Sequence, residues 1–289
     1  MKDTVLITGA SGLIGQQLVQ LLKDQYELKF LTRTPQGAQE YGWDPAAGRL
    51  DERALEGVQY IVHLAGSKLN DGTPLTPQRQ KLVRDTRIGA SELLLETLKR
   101  KGQKLKAFVS ASAMGYYGFT DNTLEIDENG HRGNDFAAIL SDDWEKAADQ
   151  FEIQGVSERV VKLRVSLVLG KEGSLFKSLI SGLKANPSAF AGARGNSYFP
   201  WVHVLDMAGM FAAGIQDDTM HGVYNTTAPE TTSREVIFQQ MYHLYQGDYE
   251  AFEKTVTTLP LQHLSSKKIV KEGFAFKYPT INAALKNLM

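Results

Sequence analysis

Three glycines at intervals of three, Gly9, Gly12 and Gly15, occur in the stretch TGASGLIG, directly after the apolar run Val5-Leu6-Ile7 and followed by Leu18, Val19, Leu21 and Leu22. A strand, a glycine turn and a helix in that order can cradle a dinucleotide. Gly9 permits the tight turn, Gly12 a close backbone approach to a pyrophosphate, and Gly15 close packing of helix on strand. Ser11, Gly12, Leu13, Ile14 and Gly15 then open the helix, whose N–H groups and positive dipole end suit phosphate oxygens. The competing reading is an ordinary glycine-rich strand-to-helix turn. Where the second strand should end, the sequence is FLTRTP, with Arg33 and no acidic residue before Glu40. A carboxylate there would favour NAD, whereas Arg33, helped by Thr32 and Thr34, suits the 2′-phosphate of NADP; a solvated arginine is the alternative. Asp44, before Pro45, is placed to accept from an adenine amino group or simply to form the turn.

Such groups need a scaffold to bring them together. Apolar runs at residues 4–7, 28–32, 60–65, 107–111 and 160–165 alternate with helical periodicity up to about 23, near 85–99 and near 142–151. Continuous apolar strands interleaved with amphipathic helices predict an α/β fold, a Rossmann-type doubly wound parallel sheet covered on both faces. Ile14, Leu18, Leu21 and Leu22 share one helix face, and Ile88, Ser91, Leu95 and Leu98 repeat that spacing. Beyond 166 the rhythm loosens. The expected division is therefore a cofactor-binding domain over residues 1–165, to which about 200–215 returns, and a smaller C-terminal substrate lobe over 166–289. The closing GFAFKYPTINAALKNLM predicts a strand, a proline-led turn and a terminal helix.

Composition narrows the partners. The 289 residues carry a net charge of −1 and no Lys/Arg run longer than Lys99-Arg100-Lys101, so neither nucleic acid nor an anionic membrane is an expected partner. The chain has no cysteine, and its six histidines form no HxH or HExxH pair, which predicts no disulfide, no thiol chemistry and no metal site. There is no signal-like lead and no apolar run approaching the ~18 residues of a membrane span, so a cytoplasmic location is expected.

With TGASGLIG and Arg33, the segments HLAG at 63–66 and SASAMGYYG at 110–118 complete a pattern. The chain resembles the atypical extended short-chain dehydrogenase/reductase superfamily and, within it, the NADP-binding "epimerase family" subgroup of oxidoreductases. The likeness extends to WDP at 43–45, SDDWEKAA at 141–148, LRVSLVLG at 163–170, WVHVLDMA at 201–208 and GFAFKYPTINAAL at 273–285. It implies a cleft over the strand ends, NADP(H) as cofactor along Leu64, Ala65, Gly66 and Ser110, Ser112 as the serine that holds a substrate oxygen, and room for a homodimer.

The resemblance also exposes a gap. Typical members add a Tyr-xxx-Lys pair, whose lysine lowers the tyrosine pKa, but NDFAAILSDDWEKAAD at 134–149 has no tyrosine, and none of the eleven tyrosines has lysine four positions later. A lone tyrosine, with a pKa of about 10, is a poor base at neutral pH. Tyr116 and Tyr117 are the nearest hydroxyls to Ser112 in sequence and could still donate a proton to an alkoxide; each could instead be a packed aromatic with a tied hydroxyl. His203 and Asp206 read as hinge support, with a general acid as the alternative, and Lys68 as a solvated lysine. Asp142, Asp143 and Glu145 read as carboxylates capping a helix start. Nucleotide-sugar epimerases carry an arginine just ahead of the aromatic-x-His-Val stretch. This chain has Phe199 and Pro200 there, with Arg194 the nearest arginine upstream. The expected function is an NADP(H)-dependent oxidoreductase acting on a small carbonyl or hydroxyl compound. The alternatives are a nucleotide-sugar epimerase or dehydratase, and a non-catalytic NADP(H) sensor.

Overall fold

The computed structural model describes residues 2–69, 72–118, 124–187, 197–247 and 262–289. The strands are β1 (Thr4–Thr8), β2 (Glu27–Thr32), β3 (Glu40–Asp44), β4 (Arg49–Leu50), β5 (Val58–His63), β6 (Ala107–Ala113), β7 (Val160–Val165), β8 (Leu167–Leu169), β9 (Trp201–His203) and β10 (Gly222–Asn225). Among the described residues, eight of them form one sheet in the order β10-β7-β6-β5-β1-β2-β3-β4. β1 is parallel to β2 and β5, β2 to β3, and β5 to β6, while the short β4 closes the edge antiparallel to β3.

The strand order reverses between β1 and β5, and in doubly wound sheets such a reversal opens a crevice at the carboxyl ends of the strands. Register puts Leu31, Thr8, His63 and Ser110 in one row across β2, β1, β5 and β6. Gly9, Arg33, Leu64 and Ser112 therefore all lie within two residues beyond that row, on the same edge of the sheet.

The helices α1 (Leu13–Leu22), α2 (Pro77–Arg84), α3 (Ala90–Lys101), α4 (Phe136–Ile153) and α5 (Ser174–Ala185) alternate with the strands. Leu94, Leu95 and Leu98 of α3 and Ala148 and Phe151 of α4 bury themselves against Leu6, Ile61 and Phe108 of the sheet, with the Phe108 and Phe151 rings stacked 3.7 Å apart. Val109, one residue on and so on the opposite face, meets Gly214 of the helix Val204–Gln216. Both faces are covered, as continuous apolar strands require.

The chain divides into two units: Met1–Ser112, Ile139–Leu163 and Ala208–Val223 make the first, and Ala113–Ala138, Arg164–Met207 and Tyr224–Met289 the second. The second has its own core, built on Leu169, Phe176, Trp201, Ile237, Met241 and Leu285. Its tail corrects one expectation, since residues 273–278 form no strand. The amides of Lys277 and Tyr278 are instead given to the Asp206 carboxylate at 2.7 and 3.0 Å, and the helix Ile281–Leu288 follows. Among the described residues no helix is long and apolar enough to cross a membrane.

Candidate functional site

The glycine turn lies at the strand-order reversal. Gly9 has φ +73°, and a Cβ there would stand 3.0 Å from the backbone of Leu64 and Ala65. A Cβ on Gly15 would drive into the Gly9 carbonyl oxygen and the backbone of Ala10. Turn and helix can close this tightly only with glycine at both positions. Gly12 is the N-cap of α1, with no side-chain cap and no acidic residue in the first turn. The leading N–H groups around Leu13 and Ile14 thus have no side-chain acceptor from the cap, beside exposed Ser11 and Gly12.

The neighbouring turn is built from Thr8 and His63. The Thr8 Oγ1 accepts from the backbone N–H of Leu64 at 3.1 Å and of Ala65 at 3.0 Å, and pairs with His63 Nδ1 at 2.8 Å. A hydroxyl has two lone pairs and one proton, so the proton goes to Nδ1, leaving Nε2–H to donate to the Arg87 carbonyl at 3.3 Å. Burial holds His63 down to about 4 and hence neutral. Arg87 itself, missed in the sequence, tucks under Gly66. Its Nη1 donates to the Ser67 carbonyl at 2.9 Å and its guanidinium lies over the Trp144 ring at 5.1 Å. Desolvation lowers it to about 10, which leaves it charged, and among the described residues it has no carboxylate partner. Its only sequence signal was an arginine between apolar positions of a helical stretch.

At the end of β2, Arg33 is exposed and makes no hydrogen bond or ion pair among the described residues. The nearby acids are occupied. Glu40 accepts from the N–H of Gln36 and Gly37, and Asp44 takes the Ala47 N–H and pairs with Arg49 Nη2 at 3.0 Å. Asp44 thus makes the hydrogen bonds of a turn former. Ser110 is buried and gives its hydroxyl to the Ala111 carbonyl at 2.9 Å.

Ser112 closes the first unit and is buried, its Oγ donating to Glu145 Oε1 at 2.6 Å. This corrects the reading of the acidic run. α4 begins at Phe136, with Asp135 receiving the Ala138 N–H, because the small and apolar residues from Ala137 to Leu140 extend the helix backward. Asp142, Asp143 and Glu145 are thus interior residues of the helix and not caps. Asp142 pairs with Lys146 and Asp143 with Arg84, while Glu145 turns inward.

In the second unit the two tyrosines differ. The Tyr117 hydroxyl is 2.7 Å from Arg164 Nη1, 2.7 Å from Asn225 Oδ1 and 3.0 Å from the Asp127 carbonyl. Burial outweighs the nearby guanidinium and pushes Tyr117 up to about 12. A phenol so held is neither free nor basic. Tyr116 is half-buried, has Arg164 over its ring at 3.5 Å, and makes no hydroxyl hydrogen bond among the described residues. His203 is tied between Asn287 and the Leu205 N–H, packed on Tyr278, and held down to about 4 by burial. Phe199 and Pro200 line a small pocket with Thr227, Glu230, Gln262 and His263, and no lysine or arginine among the described residues lines it. Arg194 lies outside the described residues. Lys68 is exposed, and its carbonyl accepts from Arg79.

Comparison with known proteins matches residues 5–226 to the NAD dependent epimerase/dehydratase family. An epimerase family protein of Mycobacterium leprae is 34% identical over 233 residues, 79% of this chain and 73% of the relative. The crystal structure of human epimerase family protein SDR39U1 with NADPH superimposes with a TM-score of 0.74 at 26% identity, over 99% of this chain and 98% of that one. A nucleoside-diphosphate sugar epimerase from Corynebacterium glutamicum gives a TM-score of 0.79 at 26% identity, over 99% of this chain. This chain spans 57% of that longer protein.

Proposed function

The chain belongs to the NAD dependent epimerase/dehydratase family, and on that footing we propose that it binds NADP(H) and passes hydride between the nicotinamide and a small carbonyl or hydroxyl compound. The observation that carries the reading is Arg33, a cation at the end of β2 with no partner among the described residues, where the nearby Glu40 and Asp44 are both engaged. It fits a 2′-phosphate, whereas a ribose hydroxyl would call for a carboxylate. The rest of the edge fits the group as well. Gly9 and Gly15 allow the tight turn, the leading N–H groups of α1 and the charged Arg87 suit a pyrophosphate, and Leu64, Ala65 and Gly66 border it. The NADPH in the human relative supports the same reading.

When bound, the cofactor supplies or accepts hydride; the protein has to hold the substrate oxygen and move one proton. Ser112 holds the oxygen in this reading. Of the two tyrosines only Tyr116 has a hydroxyl unengaged among the described residues, while Tyr117 keeps Arg164 and Asn225 in position. Ser110 is assigned to the wall of the cofactor site through its backbone, since its hydroxyl is used internally. The test is NADPH oxidation over a broad panel of small ketones and aldehydes, with Ser112→Ala as control. Turnover above background that falls by about a hundredfold or more in the variant agrees with the reading. Background rates throughout would favour a cofactor sensor.

A second reading, a nucleotide-sugar epimerase, is favoured by the resemblance to the Corynebacterium protein. Against it stand Phe199 and Pro200 and a pocket with no lining cation, since a diphosphate needs such partners. Saturable binding of a nucleotide sugar by the full chain would revive it.

A further inference from the structure

Ser112 and Glu145 come from elements 33 residues apart, β6 and the middle of α4, and meet inside one unit. Their relative exposures are 2% and 7%, and the Ser112 hydroxyl donates to the carboxylate at 2.6 Å. A serine hydroxyl carries one proton and two lone pairs. With that proton directed at Glu145, Oγ offers any further partner only lone pairs, so it receives a donor such as a substrate hydroxyl. The other carboxylates of this helix are engaged differently. Asp142, Asp143, Asp149 and Glu152 pair with Lys146, Arg84, Lys162 and His221, and Glu145 accepts from the serine. The segment that lacks Tyr-xxx-Lys thus still delivers a proton-holding group to Ser112.

We propose that Glu145, acting through Ser112, takes and returns the proton of the reaction in place of the missing pair. In the oxidising direction the substrate O–H proton passes to Ser112 Oγ as the serine's own proton passes to Glu145 Oε1. The hydride on the same carbon leaves for an oxidised nicotinamide, and the alcohol becomes a carbonyl. In the reducing direction the protonated carboxyl gives its proton back through Ser112 to the substrate oxygen as hydride arrives at carbon. Glu145 acts through the serine, so it is a positioning residue: it keeps Oγ an acceptor and stores the proton that Oγ passes on. The proposal rests on the hydride-transfer reading above.

Two readouts on the full chain test it. In infrared difference spectra of protein labelled with ¹³C-glutamate, the carboxylate band lost in Glu145→Gln shifts in Ser112→Ala. A band that Ser112→Ala leaves in place overturns the proposal, whatever the turnover. In steady-state assays with NADP⁺ and small secondary alcohols, and with NADPH and the matched ketones, Glu145→Gln lowers kcat by about a hundredfold and holds KM within about twofold. NADPH affinity is unchanged, and Glu145→Asp, which keeps a carboxylate, recovers part of the rate. Wild-type kcat in Glu145→Gln overturns this proposal and leaves hydride transfer standing. A wild type that turns over no member of the panel overturns hydride transfer, and the proposal falls with it. If Glu145→Gln fails to fold, the ¹³C-glutamate band is assigned from its loss in Glu145→Asp, and the rate of that variant with the Ser112→Ala spectrum decides.

Discussion

Tyr117 and Tyr116 stand one position apart and differ in whether the hydroxyl is engaged. Removing the Tyr117 hydroxyl leaves Arg164 Nη1 and Asn225 Oδ1 short of a buried partner. Tyr117→Phe should therefore cost about 1–3 kcal/mol in urea unfolding, while Tyr116→Phe stays within about 0.5 kcal/mol. Equal losses for the two would contradict this assignment. His63 gives a pH signature. Its folded pKa of about 4 lies below the 6.5 of a free imidazole, so the unfolded chain binds the proton first. The stability this represents is fully present above about 6.5 and is lost as pH falls through 4, a matter of about 3 kcal/mol. His203 adds in the same sense. Unfolding midpoints measured from neutral pH downward should fall over that window and fall less steeply in His63→Gln. A His63 ring signal, assigned by its loss in His63→Gln, that titrates near 6.5 in the folded protein by NMR would exclude the effect. Single-residue chemistry was only partly legible in the sequence. Arg33 could be singled out because a strand end and the lack of a nearby acid are local facts. The Ser112–Glu145 bond could not, since it joins residues 33 apart, and Glu145 looked like one more charge in an acidic run.

At the scale of elements, the glycine turn yields a contrast. An added Cβ on Gly15 meets backbone that cannot move, whereas on Gly12 its nearest contact is the Gly9 oxygen at 3.2 Å. Gly15→Ala should lower both stability, by about 1–3 kcal/mol, and NADPH affinity. Gly12→Ala should weaken NADPH binding by about tenfold or more, with a smaller loss of stability than Gly15→Ala. Paired calorimetric titration and urea unfolding separate the two, and an unimpaired Gly12→Ala would remove the pyrophosphate from this turn. The strands that carry this edge were readable because β1, β5, β6 and β7 are almost wholly buried and so rich in apolar residues. β3 and β4 escaped because EYGWD and RL sit at the sheet edge, half-buried and without alternation. The true start of α4 escaped because FAAIL, an apolar first turn, carries no charge signal, while the carboxylates that seemed to mark a helix start lie inside it.

For the whole molecule, the near-neutral charge and the absence of any long basic run mean that attraction for a polyanionic cofactor must come from a few placed cations, not from the overall field. In the proposed reading Arg33, exposed and unpaired among the described residues, is the placed cation that distinguishes NADPH from NADH. Ligand linkage turns this into a global readout: at a hundredfold excess over Kd, NADPH should stabilise the chain by about 2.7 kcal/mol, and NADH at the same concentration by much less. The alternation of apolar strands with helices was sufficient to place the glycine turn and Arg33 on one edge. It was insufficient beyond 166, where short elements build a core from scattered positions such as Trp201, Ile237 and Leu285. The most direct test of the account is calorimetric titration of the purified chain with NADPH and with NADH, repeated with NADPH on Arg33→Ala. The account predicts a clear preference for NADPH that collapses in the variant. Equal, weak binding of both cofactors, unchanged by Arg33→Ala, would contradict it.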